Sequence, residues 1–301
     1  MTFAARRWLV GGGIVVLAVG TLALTFLALQ HVEPAPDDRE PAPIPTFSQP
    51  AESPSPVPTP SATPAIGAGA YDRAEERFLA VGDGVTWRGV AGACGSSAPL
   101  LERSLDAGST WSDVTPTYLG IGQLIALDAF AGEQAEIVAS MGDACEVQAL
   151  RTFTLGQFWE SYPEVLAASR FVDQADAGSV TSRGETIAAP CDDARGLRAS
   201  GTTVALVCAA TAYSLTPEGT WQALAAANAV ALALDGADVV VAQVADGCTG
   251  IAVTRYVEAD AARAEDAGCF ADADASAPIA IAMSGADVIA WSADGLFTTT
   301  G

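Results

Sequence analysis

Hydrophobic and polar positions divide this chain of 301 residues into three stretches. Residues 8–30 contain no charged side chain and are mostly apolar. Residues 31–70 are rich in proline and hold few large apolar groups. From residue 71 to residue 301, short apolar runs of strand length alternate with glycine-containing turns, a pattern that predicts β-structure.

The apolar run of residues 8–30 predicts a transmembrane helix. At about 1.5 Å per residue, a helix of this length spans a hydrocarbon core of about 30 Å. Arg6 and Arg7 precede the run and Glu33 is the first acidic residue after it, so the positive-inside rule places residues 1–7 in the cytoplasm. We therefore expect a single-pass signal-anchor in the cell membrane, with an extracellular C-terminal domain. The alternative is a cleaved signal peptide, although the run exceeds the usual length of about 7–15 residues.

Residues 31–70 predict a disordered linker. Prolines between Pro34 and Pro64 alternate with Ser, Thr and Ala, and such a composition cannot bury enough apolar surface to offset its ordering entropy. The segment is either a stalk that crosses the cell wall or a linker of no particular length. The remaining domain comprises residues 71–301.

One eight-residue motif stands out in this domain: Ser104-Leu105-Asp106-Ala107-Gly108-Ser109-Thr110-Trp111. The Asp106 carboxylate can accept backbone N–H groups across a tight turn, and Gly108 supplies a positive φ. The Trp111 ring can then pack between sheets. Two degenerate copies follow, one with Gly156 and Trp159 and one with Gly219 and Trp221. A second repeat, of a turn followed by a buried strand, occurs at 200–206, 235–241 and 284–290.

The intact motif resembles the Asp-box of BNR-type repeats, and residues from Phe78 to Gly301 resemble photosystem II assembly factor-like and sialidase-like propellers. The resemblance implies an all-β propeller of four-stranded blades, in which the box is architectural. We expect about five blades, with six or seven as alternatives and a β-sandwich as the competing fold. Ring closure would require the segment near Phe78 to Trp87 to pair with the C-terminal edge. The expected units are 76–118, 121–163, 196–224, 228–270 and 277–301.

The stretch 164–195 fits no unit and is expected to be a long loop or degenerate strands. Only Glu164 to Val172 and Val257 to Asp266 are compatible with helix.

The six cysteines all lie in the predicted extracellular domain, so we expect three disulfides. Zinc is the alternative, but the domain has no Cys-x-x-Cys and no histidine. Six cysteines allow fifteen pairings, so the connectivity stays open. Similar positions in the repeats favour Cys94 with Cys145 and Cys191 with Cys208, which leaves Cys248 with Cys269 as a local pair.

The charge of the chain excludes one class of partner. Lysine is absent, and beyond the apolar run twelve arginines face thirty-six Asp and Glu, a net charge of −24. Such a surface repels nucleic acid. The Ala-rich, lysine-free composition is typical of high-GC actinobacteria.

Most catalytic schemes lack a component in this domain. Residues 71–301 contain no histidine for a Ser-His-Asp triad and no lysine for a Schiff base. We expect no catalytic residue, no cofactor and no bound metal. Calcium is the alternative for the acidic residues Glu258, Asp260, Glu265, Asp266, Asp272 and Asp274.

The most consistent function is therefore a non-enzymatic, membrane-anchored binding or scaffold protein with a protein or envelope-glycan partner. One alternative is a sialidase-like carbohydrate-active enzyme, for which Arg88, Arg103, Arg151 and Arg255 would have to converge. The other is an accessory or sensor subunit of a membrane complex.

Overall fold

The computed structural model describes residues 71–293 and 295–300. The predicted cytoplasmic terminus, transmembrane helix and linker, residues 1–7, 8–30 and 31–70, lie outside the described residues. Within the described part, no helix is long and apolar enough to cross a bilayer.

Six antiparallel sheets make up the domain, and in each sheet the strands pair in the order in which they follow one another along the chain. We call the sheets blades 1 to 6. Blade 1 contains β1 (Arg77–Gly82), β2 (Val85–Val90), β3 (Leu100–Ser104) and β4 (Ser112–Asp113); blade 2 contains β5 (Ile121–Ala131), β6 (Gln134–Met141), β7 (Glu146–Thr152) and β8 (Glu160–Ser161). Helix α1 (Pro163–Ala168) leads to blade 3, which contains β9 (Arg170–Val172), β10 (Ser179–Ser182) and β11 (Glu185–Ala188).

The second half of the domain is built in the same way. Blade 4 contains β12 (Ala194–Ser200), β13 (Thr203–Cys208), β14 (Thr211–Leu215) and β15 (Trp221–Ala227); blade 5 contains β16 (Ala229–Asp235), β17 (Asp238–Gln243), β18 (Ile251–Tyr256) and β19 (Ala264–Phe270); blade 6 contains β20 (Ile279–Ser284), β21 (Asp287–Ser292) and β22 (Gly295–Thr300). Short 3-10 helices occur at Arg73–Glu75, Thr117–Leu119 and Val257–Ala259.

The first strands of the blades form a closed ring. β1 contacts β5, β5 contacts β9, and the contacts continue through β12, β16 and β20 back to β1. This arrangement confirms a β-propeller, and the competing β-sandwich is wrong. The preference for five blades is also wrong, because the described residues form six. The stretch 164–195, which fitted no unit, supplies most of α1 and the additional blade, blade 3. Its strands are only three or four residues long and lack a box motif, so the repeat was not recognisable there.

Ring closure does not use the strand pairing expected from the sequence. Blade 1 and blade 6 each keep their own strands and pack face against face. Leu79 lies in one apolar cluster with Ala280 and Trp291. Leu296 approaches the Asp106–Gly108 turn so closely that a Cβ added to Gly108 would clash with it. Apolar side chains on both faces of each sheet make such closure possible without an exchanged strand.

Blade 3 departs from the pattern in the direction of its first strand. We call the side of the ring where β1, β5, β12, β16 and β20 begin the N-face, and the side where they end the C-face. Gln174, two residues after β9, accepts a hydrogen bond from Gln123 at the N-face end of β5, with 2.8 Å between Gln123 Nε2 and Gln174 Oε1. Arg170, at the start of β9, donates to Gly201 O at the C-face end of blade 4. β9 therefore runs opposite to its neighbours in the ring.

The expected three disulfides are present, and all lie toward the N-face. Cys94 bonds Cys145 between blades 1 and 2, Cys191 bonds Cys208 at the junction of blades 3 and 4, and Cys248 bonds Cys269 within blade 5. These bridges restrict the loops at one side of the ring and leave the hairpins of the C-face free of covalent links.

The two segments compatible with helix are only partly helical. Residues 164–172 divide into the end of α1 and all of β9. In residues 257–266 a single 3-10 turn precedes β19, because the edge of β18 offers backbone pairing from Ile251↔Phe270 to Tyr256↔Ala264. The three repeated turns join the first and second strands of blades 4, 5 and 6, and the second strands are buried, as the sequence predicted.

Candidate functional site

The intact box forms the turn between β3 and β4. The Ser104 hydroxyl donates to Asp106 Oδ1 at 2.7 Å and accepts from the Gly108 N–H at 2.8 Å. Asp106 accepts from both the N–H and the hydroxyl of Thr110, at 2.8 and 2.7 Å. Ala107 and Gly108 both have positive φ, 54° and 88°. These bonds lower the pKa of Asp106 to about 2, the Ser104 hydroxyl contributing most.

The second copy keeps this turn with different side chains. Thr152 accepts from the Gly156 N–H at 3.0 Å, as Ser104 accepts from Gly108. Thr154 accepts from the Phe158 N–H at 3.0 Å and so takes the place of Asp106. Residue 155, a leucine, and Gly156 repeat the pair of positive φ angles. Hydroxyl groups thus replace the carboxylate without changing the turn.

The tryptophans of the three copies differ in burial. Trp159 is 2% exposed, and its Nε1 donates to Gly156 O and Val114 O. Trp111 and Trp221 are half-buried. The Trp111 ring stacks on Arg88, 3.9 Å from the ring centroid, and Trp221 Nε1 donates to Ala188 O of blade 3. In the third copy, Gly219 donates its N–H to Thr216 O. These residues shape the turns between the outer strands, and Trp159 and Trp221 also bond backbone carbonyl groups of neighbouring blades.

The four arginines considered for a sialidase-like site do not converge. Arg88 pairs with Glu102, Arg151 with Glu136, and Arg255 with Asp235 and Asp238, each within its own blade. Arg103 lies on β3, next to Trp87 in the register of blade 1. The acidic residues considered for calcium are also dispersed. Within the described ranges, no group of three or more Asp, Glu, Cys or His side chains is arranged to hold a metal ion.

At the C-face, the mouth of the central channel forms a cavity with a volume of about 540 Å³. One side is apolar and is formed by small and aliphatic residues of blades 1, 5 and 6. The other side is charged and belongs to blades 2 and 4. The lining includes Ala80, Val81, Asp128, Phe130, Glu136, Arg151, Arg198, Ala233, Leu234, Ala282 and Met283.

Arg198 breaks a ring of alanines in this mouth. The third residue from the end of each long first strand is Ala80 in β1, Ala129 in β5, Ala233 in β16 and Ala282 in β20, whereas β12 has Arg198. Its Nη1 donates to Leu197 O at 3.1 Å, and the guanidinium lies 5.9 Å from the centroid of the Phe78 ring. Burial is the main cause of a lowered pKa at Arg198, which Asp128 and Glu76 partly offset.

Asp128 faces Arg198 from the other side of blade 3. Its side chain is exposed to the solvent of the mouth, with the walls of both cavities around it. That environment raises its pKa to about 6, and the neighbouring Glu136 adds to the effect while Arg198 opposes it. Within the described residues, the Asp128 carboxylate makes no hydrogen bond or salt bridge. A carboxylate and a guanidinium therefore share one cavity without bonding each other.

The reversed strand of blade 3 explains why these two groups meet. β9 is three residues long, so it fills little of the space between β5 and β12 at the C-face. A second cavity of about 170 Å³ occupies this space beneath α1. Asp128, Glu136, Arg198 and Ala199 line both cavities. The mouth therefore extends sideways into blade 3.

The N-face end of the channel is nearly closed. Residues Tyr71 to Glu76 cross it and dock on blade 4, where Arg73 pairs with Asp193 at 2.7 Å and Arg195 donates to Tyr71 O at 2.9 Å. Burial raises the pKa of Tyr71 to about 12, with Glu76 adding to it. Small cavities of about 10 and 50 Å³ remain beside Tyr71 and Arg195. The chain thus enters the domain on the side opposite to the open mouth.

Sequence reasoning missed Asp128, Phe130 and Arg198. The signal for Arg198 was present in the repeated turn. Two residues before the copy at 200–206 the sequence is Arg198-Ala199, whereas the other two copies have Ala233-Leu234 and Ala282-Met283 at these positions. Arginine thus replaces the alanine of the repeat. The signal for Asp128 was weaker. Three register shifts in the pairing of β5 with β6 decide which of its residues face the channel, and such shifts leave no clear pattern in a sequence.

Comparison with known proteins gives remote structural similarity alone. No family model and no curated protein matches the chain. A solved structure of YCF48 bound to D1 peptide covers 74% of this chain and 76% of its own, with 13% identity and a TM-score of 0.40. A GH74 enzyme of Niastella koreensis covers 74% and 44%, with 12% identity and a TM-score of 0.44. A GH43_1 enzyme of Xanthomonas citri covers 72% and 80%, with 9% identity and a TM-score of 0.35. Similarity this remote says nothing about function.

The two perturbed carboxyl groups should affect stability with opposite signs. The folded pKa of Asp106, about 2, lies below its usual 3.8, so its ionised form stabilises the fold, and this contribution disappears as pH falls from 3.8 toward 2. The folded pKa of Asp128, about 6, lies above 3.8, so ionisation destabilises the fold as pH rises through 6. We expect Asp106→Asn to lower, and Asp128→Asn to raise, the melting temperature at neutral pH.

Thermal melts between pH 3 and pH 8 check both signs. The advantage of Asp128→Asn should vanish as pH falls from about 6 to about 4, whereas the deficit of Asp106→Asn should stay constant over that range and shrink only below it. A constant advantage of Asp128→Asn at every pH would contradict the assigned environment of that carboxyl group.

Proposed function

We propose that the protein is a membrane-anchored extracytoplasmic binding protein whose C-face channel mouth holds its ligand or partner. The observation that carries the proposal is the pair Asp128 and Arg198, two charged groups that line one cavity, of which Arg198 stands where the other long first strands have alanine. Arg198 is half-buried and forms no salt bridge with any described residue, which is unfavourable for a charged group, and ligand recognition explains why it occurs there. The volume of the mouth is also that of small-molecule sites, about 300–1,000 Å³.

The position of the chain entry supports the same proposal. Tyr71 to Glu76 dock on the N-face, and the three disulfides stiffen that side. With an N-terminal anchor and a linker, this arrangement would leave the C-face unobstructed. Exposed aromatic side chains border the mouth on blade 2, where Phe130 and Phe153 are both 46% exposed and flank Arg151 at 4.8 and 6.0 Å. Exposed aromatic and arginine side chains are typical of recognition surfaces.

Site-specific photo-cross-linking in cells tests this proposal. A photoreactive amino acid at position 130 or 153 of the full-length protein should give a discrete cross-linked product. The matched control is position 143, an exposed residue in the N-face turn between β6 and β7. Products from position 143 alone, or none from positions 130 and 153, would contradict a binding site at the C-face.

One observation favours glycoside hydrolysis as a second candidate. Asp128 and Glu136 are opposite each other in the pairing of β5 with β6, and a carboxyl group with a pKa of about 6 beside a second carboxyl group is a common arrangement of acid and nucleophile. Arg151 already pairs with Glu136 at 2.5 Å, and this pairing makes the Glu136 carboxylate a weaker nucleophile. Turnover of aryl glycosides that Asp128→Asn and Glu136→Gln abolish would establish the enzyme.

A further inference from the structure

The C-face mouth offers one free charge of each sign. Glu136 and Arg151 neutralise each other at 2.5 Å. Asp128 and Arg198 attract each other but form no salt bridge, so each retains most of its hydrogen-bonding capacity. Glu76 also attracts Arg198 from the N-face side, but its carboxylate accepts the Gly196 N–H at 2.8 Å. The groups that remain for a ligand in the mouth are therefore one carboxylate and one guanidinium.

The opposite side of the mouth is apolar and uncharged. Ala80, Val81, Ala233, Leu234, Ala282 and Met283 form it. Small side chains on this side leave space, and Met283 can adapt its shape to an apolar group. A ligand that fills the mouth therefore needs a dipolar head toward blades 2 and 4 and an apolar body toward blades 1, 5 and 6.

We infer that the C-face mouth binds a small zwitterion of the amino-acid type, a free apolar α-amino acid or a dipeptide. This inference rests on the proposed function, which places the ligand site at this mouth. The guanidinium of Arg198 binds the ligand carboxylate, for which its planar fork of donors is suited. The carboxylate of Asp128 accepts from the ligand ammonium group, and the apolar side chain packs against Ala233, Ala282 and Met283.

A neutral sugar fits these groups less well. Its hydroxyl groups would bond Asp128 and Arg198, but they would leave both charges in a confined cavity without an opposite charge from the ligand. An anion alone would satisfy Arg198 and face Asp128 with a like charge. A zwitterion supplies both opposite charges from one small molecule.

Isothermal titration of the full-length protein in detergent, with L-leucine and leucyl-leucine as probes, tests the inference. We expect at least one of them to bind, and we expect leucinamide and N-acetyl-leucine to bind about tenfold or more weakly, because each leaves one charged group of the site unpaired. This comparison needs no variant. No binding of leucine or leucyl-leucine, or equal binding of the probes and their blocked analogues, would overturn the inference.

Two variants assign the contacts. Asp128→Asn should weaken the binding of leucine by about tenfold but leave the affinity for N-acetyl-leucine unchanged. Arg198→Gln should weaken the binding of leucine but leave the affinity for leucinamide unchanged. Matched controls are Asp113→Asn on β4 and Arg255→Gln on β18, neither of which lines the mouth. A thermal melt of each variant verifies folding. Loss of leucine binding in the controls as well would contradict the assigned contacts.

The affinity should also depend on pH through Asp128. Glu136 on β6 and Arg198 on β12 line both cavities, whereas Arg170 at the start of β9 lines only the one beneath α1. Arg151 on β7 lines the mouth and pairs with Glu136. We expect leucine binding to weaken as pH falls below about 6, and this dependence to be absent in Asp128→Asn. A profile that the variant leaves unchanged would overturn the role of Asp128. If leucine does not bind but cross-links form from positions 130 and 153, the inferred class of ligand is wrong and the proposed binding site at the C-face stands.

Discussion

Replacing Trp159 by alanine should lower the free energy of unfolding by about 3–5 kcal/mol. The side chain is 2% exposed and lies in the apolar cluster shared by blades 1 and 2. Its ring meets Trp87 edge to face at 6.2 Å, and its N–H bonds two backbone carbonyl groups. Alanine would leave a cavity at the junction of two blades and remove both bonds. Equilibrium unfolding followed by circular dichroism measures the loss.

Two matched variants show which part of the loss belongs to the buried position. Trp111→Ala removes the equivalent residue of the intact box, but that ring is half-buried and stacks on Arg88, so we expect a smaller loss. Trp87→Phe changes a fully buried ring whose Nε1 has no hydrogen-bond partner among the described residues. It should therefore lower the free energy of unfolding by less than Trp159→Phe does. Equal losses for Trp111→Ala and Trp159→Ala would contradict the packing described for blades 1 and 2.

Removing the Cys94–Cys145 disulfide should have the second large effect. The bridge links two blades across 51 residues, and the chain-entropy relation gives about 4 kcal/mol for a loop of that length. The double variant Cys94→Ala, Cys145→Ala should therefore unfold at a clearly lower denaturant concentration. The Cys191–Cys208 bridge spans 17 residues, for which the same relation gives about 3 kcal/mol.

Denaturant titration of both double variants checks the size and the order of these effects. Gly122 packs tightly against this bridge, because a Cβ added to it would lie 2.8 Å from Cys94 Sγ. A Cys94→Ser, Cys145→Ser variant provides a polar control. An unchanged unfolding midpoint in both the alanine and the serine variant of Cys94 and Cys145 would mean that the Cys94–Cys145 bridge does not stabilise the ring.

The sequence predicted the class of fold because the box turn and the repeated hairpins leave recognisable residues. Asp106 and its degenerate replacement Thr154 both cap the turn, so the motif survived the loss of its carboxylate. The number of blades was not predictable, because blade 3 carries no box and its three strands are short. Its reversed first strand depends on contacts with β5 and β12, which lie far away in the chain.

The candidate site was less predictable than the fold. Neither Asp128 nor Arg198 belongs to a motif, and they meet only because β9 leaves space between β5 and β12. Arg198 could have been found by extending the hairpin repeat backwards by two residues. Asp128 could not, because the register shifts in β5 that turn it toward the channel follow from local strand geometry.

A crystal structure of the protein tests the central claim most directly, namely that a six-bladed ring with a reduced third blade brings Asp128 and Arg198 into one open mouth. We predict six sheets around a single axis, β9 antiparallel to β5 and β12, and both charged side chains facing the same cavity on the side opposite Tyr71. Five sheets, or a β9 parallel to its neighbours with Arg198 directed away from the channel, would contradict it.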